Sequence, residues 1–251
     1  MCRQGAEQGN PEAQFNLGFR YARGDGVNEN KTETVKWWRK AAEQGHTLAQ
    51  THLAMFYTQG LGVEKDQKEA AKWNRKAAEA GNPMAQLNIG QCYMIGSGVE
   101  VDTSEAIKWW RKAAEQENDG AQYNLGLAFF NGDGVDVDKT EAVKWFRKAA
   151  EQEYGPAQGY LAQCYAEGLG VEKDQKAAIE WWRREVAHGD ALPPAKLGCV
   201  TSTVTKRSRH LVSMVVDIEN KPLSTSCFSG NFGIIMFALW LLEPPTGFGW
   251  V

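Results

Sequence analysis

The dipeptide Ala-Gln recurs every 36 residues, at Ala13-Gln14, Ala49-Gln50, Ala85-Gln86, Ala121-Gln122 and Ala157-Gln158. Eleven residues after each alanine begins Gly-x-Gly-Val, at Gly24, Gly60, Gly96, Gly132 and Gly168. Ten residues after each valine stands a tryptophan: Trp37, Trp73, Trp109, Trp145 and Trp181. No insertion interrupts the five copies. A fixed period of this length marks a repeat array, in which each unit buries its apolar face against its neighbours.

Each copy reads as two helices. Ala13, Leu17, Gly18 and Tyr21 share one face of a 3.6-residue period, as do Ala85, Ile89, Gly90 and Tyr93. The small residues Gly18, Ala54, Gly90, Gly126 and Ala162 on that face admit a neighbouring helix. Asn10-Pro11 and Asn82-Pro83 are helix starts, and Gly24 and its equivalents are stops. The second helix opens with a capping box at Asn30…Glu33, Asp66…Glu69, Asp102…Glu105 and Asp138…Glu141, and Asp174 keeps only the cap. Its buried face runs Ala106, Trp109, Ala113, Ala114 in the third copy. Glu43, Glu79, Glu115 and Glu151 follow Arg39, Arg75, Arg111 and Arg147 by four residues, a spacing that predicts ion pairs.

The pattern AQFNLGFRYARGDGV…WWRKAAEQG resembles the Sel1-like repeat, a relative of the tetratricopeptide repeat, over residues 1–198. The resemblance implies an all-α fold, a right-handed α/α superhelical solenoid of about five 36-residue helix pairs, acting as an adaptor in protein complexes. Full repeats start near residues 10, 46, 82, 118 and 154, after a half repeat over 1–9 and before a failed sixth from about 190. Met1 falls at a tryptophan position inside a unit, which reads either as a worn capping element or as a fragment of a longer protein, with the fragment favoured. The non-repeat tail, 199–251, carries Lys206, Arg207 and Arg209 and an apolar stretch of eleven from Phe232 to Leu242. A membrane span needs about 20 apolar residues. The tail therefore reads as a hydrophobic cap on the last repeat, as an unrelated or disordered terminus, or as a shallow membrane contact.

Several chemistries find no support. The Gly-x-Gly-Val loops follow a helix and not a strand, so they are turns rather than phosphate cradles. The acidic loop after Asn131 lacks the glycine and glutamate of a calcium loop, counted from Asp133. The histidines at 46, 52, 188 and 210 make no metal-ligand spacing, and no cofactor or metal is expected. Some cysteine-rich Sel1-like proteins are associated with penicillin binding or β-lactamase activity. This chain has five cysteines and no pair inside any repeat, so that enzyme alternative is disfavoured. The second helices carry a basic stripe, but residues 1–198 hold 24 basic and 28 acidic side chains, and nucleic acid is not expected as a partner. No signal peptide is visible, and a cytoplasmic chain is the default.

One stripe on the first helices varies where the packing positions do not. It holds Phe15 and Phe19, then Thr51 and Met55, then Leu87, Gln91 and Met94, then Tyr123, Leu127 and Phe130. Asn16, His52, Asn88 and Asn124 lie beside it. In tetratricopeptide relatives the matching positions line a concave groove, which implies that these residues hold a protein or peptide segment. The other reading is that they pack first helix against first helix.

Overall fold

The computed structural model describes residues 2–187, and the expectations for the failed sixth repeat and for the tail fall outside them. Among the described residues all regular structure is helical: α1 (Cys2–Glu7), α2 (Pro11–Arg23), α3 (Lys31–Glu43), α4 (Thr47–Gln59), α5 (Gln67–Glu79), α6 (Pro83–Ile95), α7 (Thr103–Glu115), α8 (Asp119–Asn131), α9 (Lys139–Glu151), α10 (Gly155–Glu167) and α11 (Gln175–Ala187). Each repeat contributes a first helix, α2, α4, α6, α8 or α10, and a second one packed against it. This is an α/α solenoid, with one layer of first helices and one of second helices.

The caps explain why every complete helix has the same 13 residues. Asn10, Asn82 and Asn118 accept backbone N–H bonds at the starts of α2, α6 and α8, and His46 Nδ1 does the same for α4. Each first helix ends on a left-handed glycine, from Gly24 (φ 78°) to Gly168 (φ 75°). The second helices keep the first half of the expected capping box and lose the other. Asp102 accepts from Glu105 N, but its own N–H bonds to Tyr93 O in the preceding helix. Glu105 is left to pair with Lys108 at 2.9 Å, and the same exchange occurs at Glu33, Glu69 and Glu141.

Two contacts set the spacing of the repeats. The second loop glycines, Gly62, Gly98 and Gly170, have φ between 66° and 73° and lie against the backbone that opens α3, α5 and α9 of the repeat before. A Cβ on any of them would collide with that backbone, so here glycine answers a close approach as well as a turn. The second contact is the buried amide of the Ala-Gln pair. Gln14, Gln50, Gln86, Gln122 and Gln158 each donate Nε2 to a carbonyl at the end of the preceding second helix, at 3.0–3.3 Å. Gln44, Gln116 and Gln152 in turn donate to Gln14, Gln86 and Gln122 Oε1 at 2.8 Å. Ala80 holds that place in the second repeat, and Gln50 Oε1 stays buried without a partner.

In repeats 1, 3 and 4 one large side chain of the second helix lies on the small residue of the first. A Cβ at Gly18, Gly90 or Gly126 would stand 2.5 Å from the ring of Trp38, Trp110 or Phe146. The second repeat trades both partners, with Ala54 on α4 and Asn74 on α5.

Candidate partner-binding face

The two layers differ in charge. Helices α4 (TLAQTHLAMFYTQ) and α6 (PMAQLNIGQCYMI) carry no Asp, Glu, Lys or Arg, while α8 carries only Asp119 and α10 only Glu167. Charge is concentrated on the second helices and is paired there. The expected Arg–Glu pairs at i, i+4 are not the ones formed. Arg39, Arg75 and Arg147 donate instead to the hydroxyls of Tyr57, Tyr93 and Tyr165 on the next first helix, the last at 2.6 Å. A phenol held in place by burial of its ring is a better-fixed partner for the guanidinium than a mobile, exposed carboxylate. Lys40, Lys76, Lys112 and Lys148 lie 4.2–4.4 Å over the rings of Trp37, Trp73, Trp109 and Trp145.

On the first helices the expected stripe divides in two. Phe15 is buried, stacked on His46 at 4.7 Å and on Trp38 at 6.1 Å between ring centroids. Phe19 is half-buried under the Arg23 guanidinium, and His52 lies 5.0 Å from the Trp38 ring. At the other end Tyr123 meets Tyr154 and Tyr160 at 5.3 and 5.7 Å, and Phe130 packs on Phe146 and Tyr160. These rings join one repeat to the next. Between the two aromatic clusters lie Met55, which is 40% exposed, and the half-buried Leu87, Asn88, Gln91 and Met94. Asn124 and Leu127 are also half-buried, and Asn16 is exposed and donates to Glu12 at 3.2 Å.

The largest exposed apolar side chains of this layer are ones the stripe did not include. Leu48, Met84 and Ile95 are 49%, 50% and 58% exposed, on α4 and α6 beside Met55. Leu48 and Met55 are seven residues apart and Met84 and Ile95 eleven, so each pair stands on the outward line of its helix. The signal was present in the sequence: Glu12 holds the place of Leu48 and Met84, and Arg23 and Gln59 hold that of Ile95.

Titration chemistry on this face is quiet. Burial lowers His52 and raises Tyr123, Tyr160 and the Cys92 thiol, and it pushes the Cys164 thiol up to about 12. Those thiol shifts run opposite to what a thiolate nucleophile requires. Among the described residues no three of His, Cys, Asp and Glu gather where they could hold a metal ion, and no helix is long and apolar enough to cross a membrane.

A layered helical solenoid whose first-helix layer is sparsely charged and partly apolar defines a repeat protein of the interaction class. The Sel1 repeat model matches residues 11–46, 47–82, 83–118, 120–154 and 155–184, and the chain belongs to the Sel1 repeat family. Proteins of this family generally mediate protein–protein interactions and bind protein partners. Among solved structures, a protective antigen of uropathogenic Escherichia coli displaying an SLR fold is similar, with 31% identity and a TM-score of 0.76 over 87% of this chain. A Sel1 repeat protein from Oxalobacter formigenes is 31% identical, with a TM-score of 0.69 over 84% of this chain. The chain spans 44% of the first protein's length and 58% of the second's. No curated protein matches it.

Proposed function

We propose that the chain is a non-catalytic adaptor that holds a protein segment against the first helices of repeats 1 to 4. The observation that carries this reading is the coincidence of four large exposed apolar side chains, Leu48, Met55, Met84 and Ile95, with two helices that bear no charge. Apolar side chains left on a surface lose the roughly 25 cal/mol per Å² that burial would return. Methionines adapt to a partner's contour at little cost. A charged contact surface would lose hydration here without finding a counter-ion, so the face selects a segment whose contacting side is uncharged. Asn88, Gln91 and Asn124 supply amides to the segment's backbone, with Asn16 and His52 at the N-terminal end and Leu87, Met94 and Leu127 extending the apolar surface. Phe15, Phe19, Tyr123 and Phe130 act through their rims, since their rings already join repeats.

The test is affinity capture from native lysate with the full chain and with a Met55→Glu/Met84→Glu variant. Both positions are exposed, so the variant is expected to keep the parent's circular dichroism spectrum. A protein held by the parent and lost by the folded variant supports the reading. Identical captures by both forms sink it.

A further inference from the structure

We propose that the loop edge of repeats 3 and 4 is a second docking surface, which takes a basic helix of a partner protein with two apolar side chains seated on Val101 and Val137. The inference stands apart from the first-helix face and does not rest on it.

Val101 and Val137 occupy the same place in the loops that lead into α7 and α9, and they are 63% and 58% exposed. In repeats 2 and 5 that place holds Lys65 and Lys173, whose Cβ atoms lie 3.4 and 3.5 Å from where a Cβ on Gly60 or Gly168 would stand. Val101 and Val137 lean over Gly96 and Gly132 in the same manner. The loop therefore accepts lysine and valine alike, and the fold does not call for an apolar side chain here. Val99 and Val135, two residues earlier, instead pack against the core. At this place of repeats 3 and 4 apolar surface stands in water, where burial by a partner would return its transfer free energy.

Charge says what covers it. Each valine stands between two exposed carboxylates, Glu100 and Asp102 in repeat 3 and Asp136 and Asp138 in repeat 4. Lys65 and Lys173 also stand between two acids, so repeats 2 and 5 carry their own cation at this place. The contrast recurs three residues on, where Lys68 and Lys176 face Ser104 and Thr140 in the alignment of repeats. Lys139, which opens α9, is turned to the carbonyl and the ring of Phe130. Repeats 3 and 4 thus leave the cation to the partner. A field of this sign attracts a basic segment and repels nucleic acid and anionic membranes. A Cβ on Gly134 would stand 2.8 Å from Thr103 Cβ, so the fourth loop rests on the start of α7. The two valines are then about one helix-packing distance apart, roughly 8–10 Å. Helix residues seven apart in sequence are separated by about 10.5 Å. A helix with apolar residues at that interval covers both valines and brings lysine or arginine to the carboxylates beside them.

The experiment titrates the ¹⁵N-labelled full chain with a synthetic helical peptide of lysine and alanine that carries two leucines seven residues apart. The expected result is saturable shifts of residues 100–102 and 136–138, weakened as salt rises to about 0.15 M. The same peptide with alanine for leucine should bind about tenfold more weakly, and so should the parent peptide to Val101→Ser/Val137→Ser. Val101→Lys/Val137→Lys, which copies residues the fold already accepts, should abolish the shifts. Met55→Glu/Met84→Glu should leave them in place, which separates this surface from the first-helix face. Shifts centred elsewhere, equal binding of the leucine-free peptide, or unchanged binding to a folded valine variant would each overturn the proposal. Shifts of residues 100–102 and 136–138 that grow with the concentration of the chain alone would give the edge to a second copy and overturn it as well.

Discussion

Trp38 donates its indole N–H to the carbonyl of Phe15, 23 residues earlier, while its ring fills the space that a Cβ on Gly18 would need. The bond and the contact tie the two helices of repeat 1 into one object. Repeat 2 has Ala54 and Asn74 at the same two places.

Gly18→Ala is therefore expected to destabilise by about 1–3 kcal/mol, the usual cost of forcing a carbon into a packed core. In a Trp38→Asn background the same change should cost close to nothing. Urea unfolding of the four members of this cycle measures the coupling, and equal costs in both backgrounds would break the proposed linkage.

Ala80→Gln should stabilise the chain by about 1 kcal/mol, because it gives the orphaned Gln50 Oε1 the donor that Gln14, Gln86 and Gln122 already have. A rise in the urea midpoint with an unchanged slope is the expected readout.

Glu117 adopts φ 62° at the repeat position where Gly9, Gly45 and Gly81 have φ between 87° and 94°. A side chain in the left-handed region costs on the order of 1 kcal/mol. Glu117→Gly should recover about that amount, and a lower thermal midpoint for the variant would contradict it.

His52 titrates below its ordinary value near 6.5 because burial against Trp38 and Phe15 penalises the charged ring. Between the folded and ordinary values the unfolded chain binds more protons, so stability falls as the pH drops below about 6.5 and levels off under the folded value. His52→Asn, which copies Asn88 and Asn124, should flatten that part of the profile. Thermal midpoints of parent and variant between about pH 7 and pH 5 test this, and parallel profiles would assign the dependence to other groups.

Most of the fold was legible because a 36-residue period, a cap and a stop residue are local signals. Asn10, Asp102 and Gly24 announce their helices whatever surrounds them. The partners of Arg39 and Glu105 were not legible. Spacing along one helix shows Glu43 within reach of Arg39, but the nearer approach of Tyr57 depends on how steeply the next helix leans. The same depth of stacking decides that Phe15 is buried between repeats while Leu48 stands in solvent, although both lie on first helices. Pattern gives the face of a helix, and stacking decides how much of that face is left over. Asn74 lay open to inspection as the odd member of a Trp, Asn, Trp, Phe, Trp series, but that its buried Oδ1 has no hydrogen-bond partner needed coordinates.

Gly62, Gly98 and Gly170 each meet the neighbouring repeat through backbone, and backbone is common to every sequence. A joint of that kind makes no demand on the identity of the unit it adjoins. Whole units of 36 residues can be duplicated, deleted or reordered without rematching side chains at this joint, whereas gain or loss of a single residue would throw every later unit out of step. Such a chain is free to lengthen and shorten by modules, and to diversify its exposed residues one module at a time.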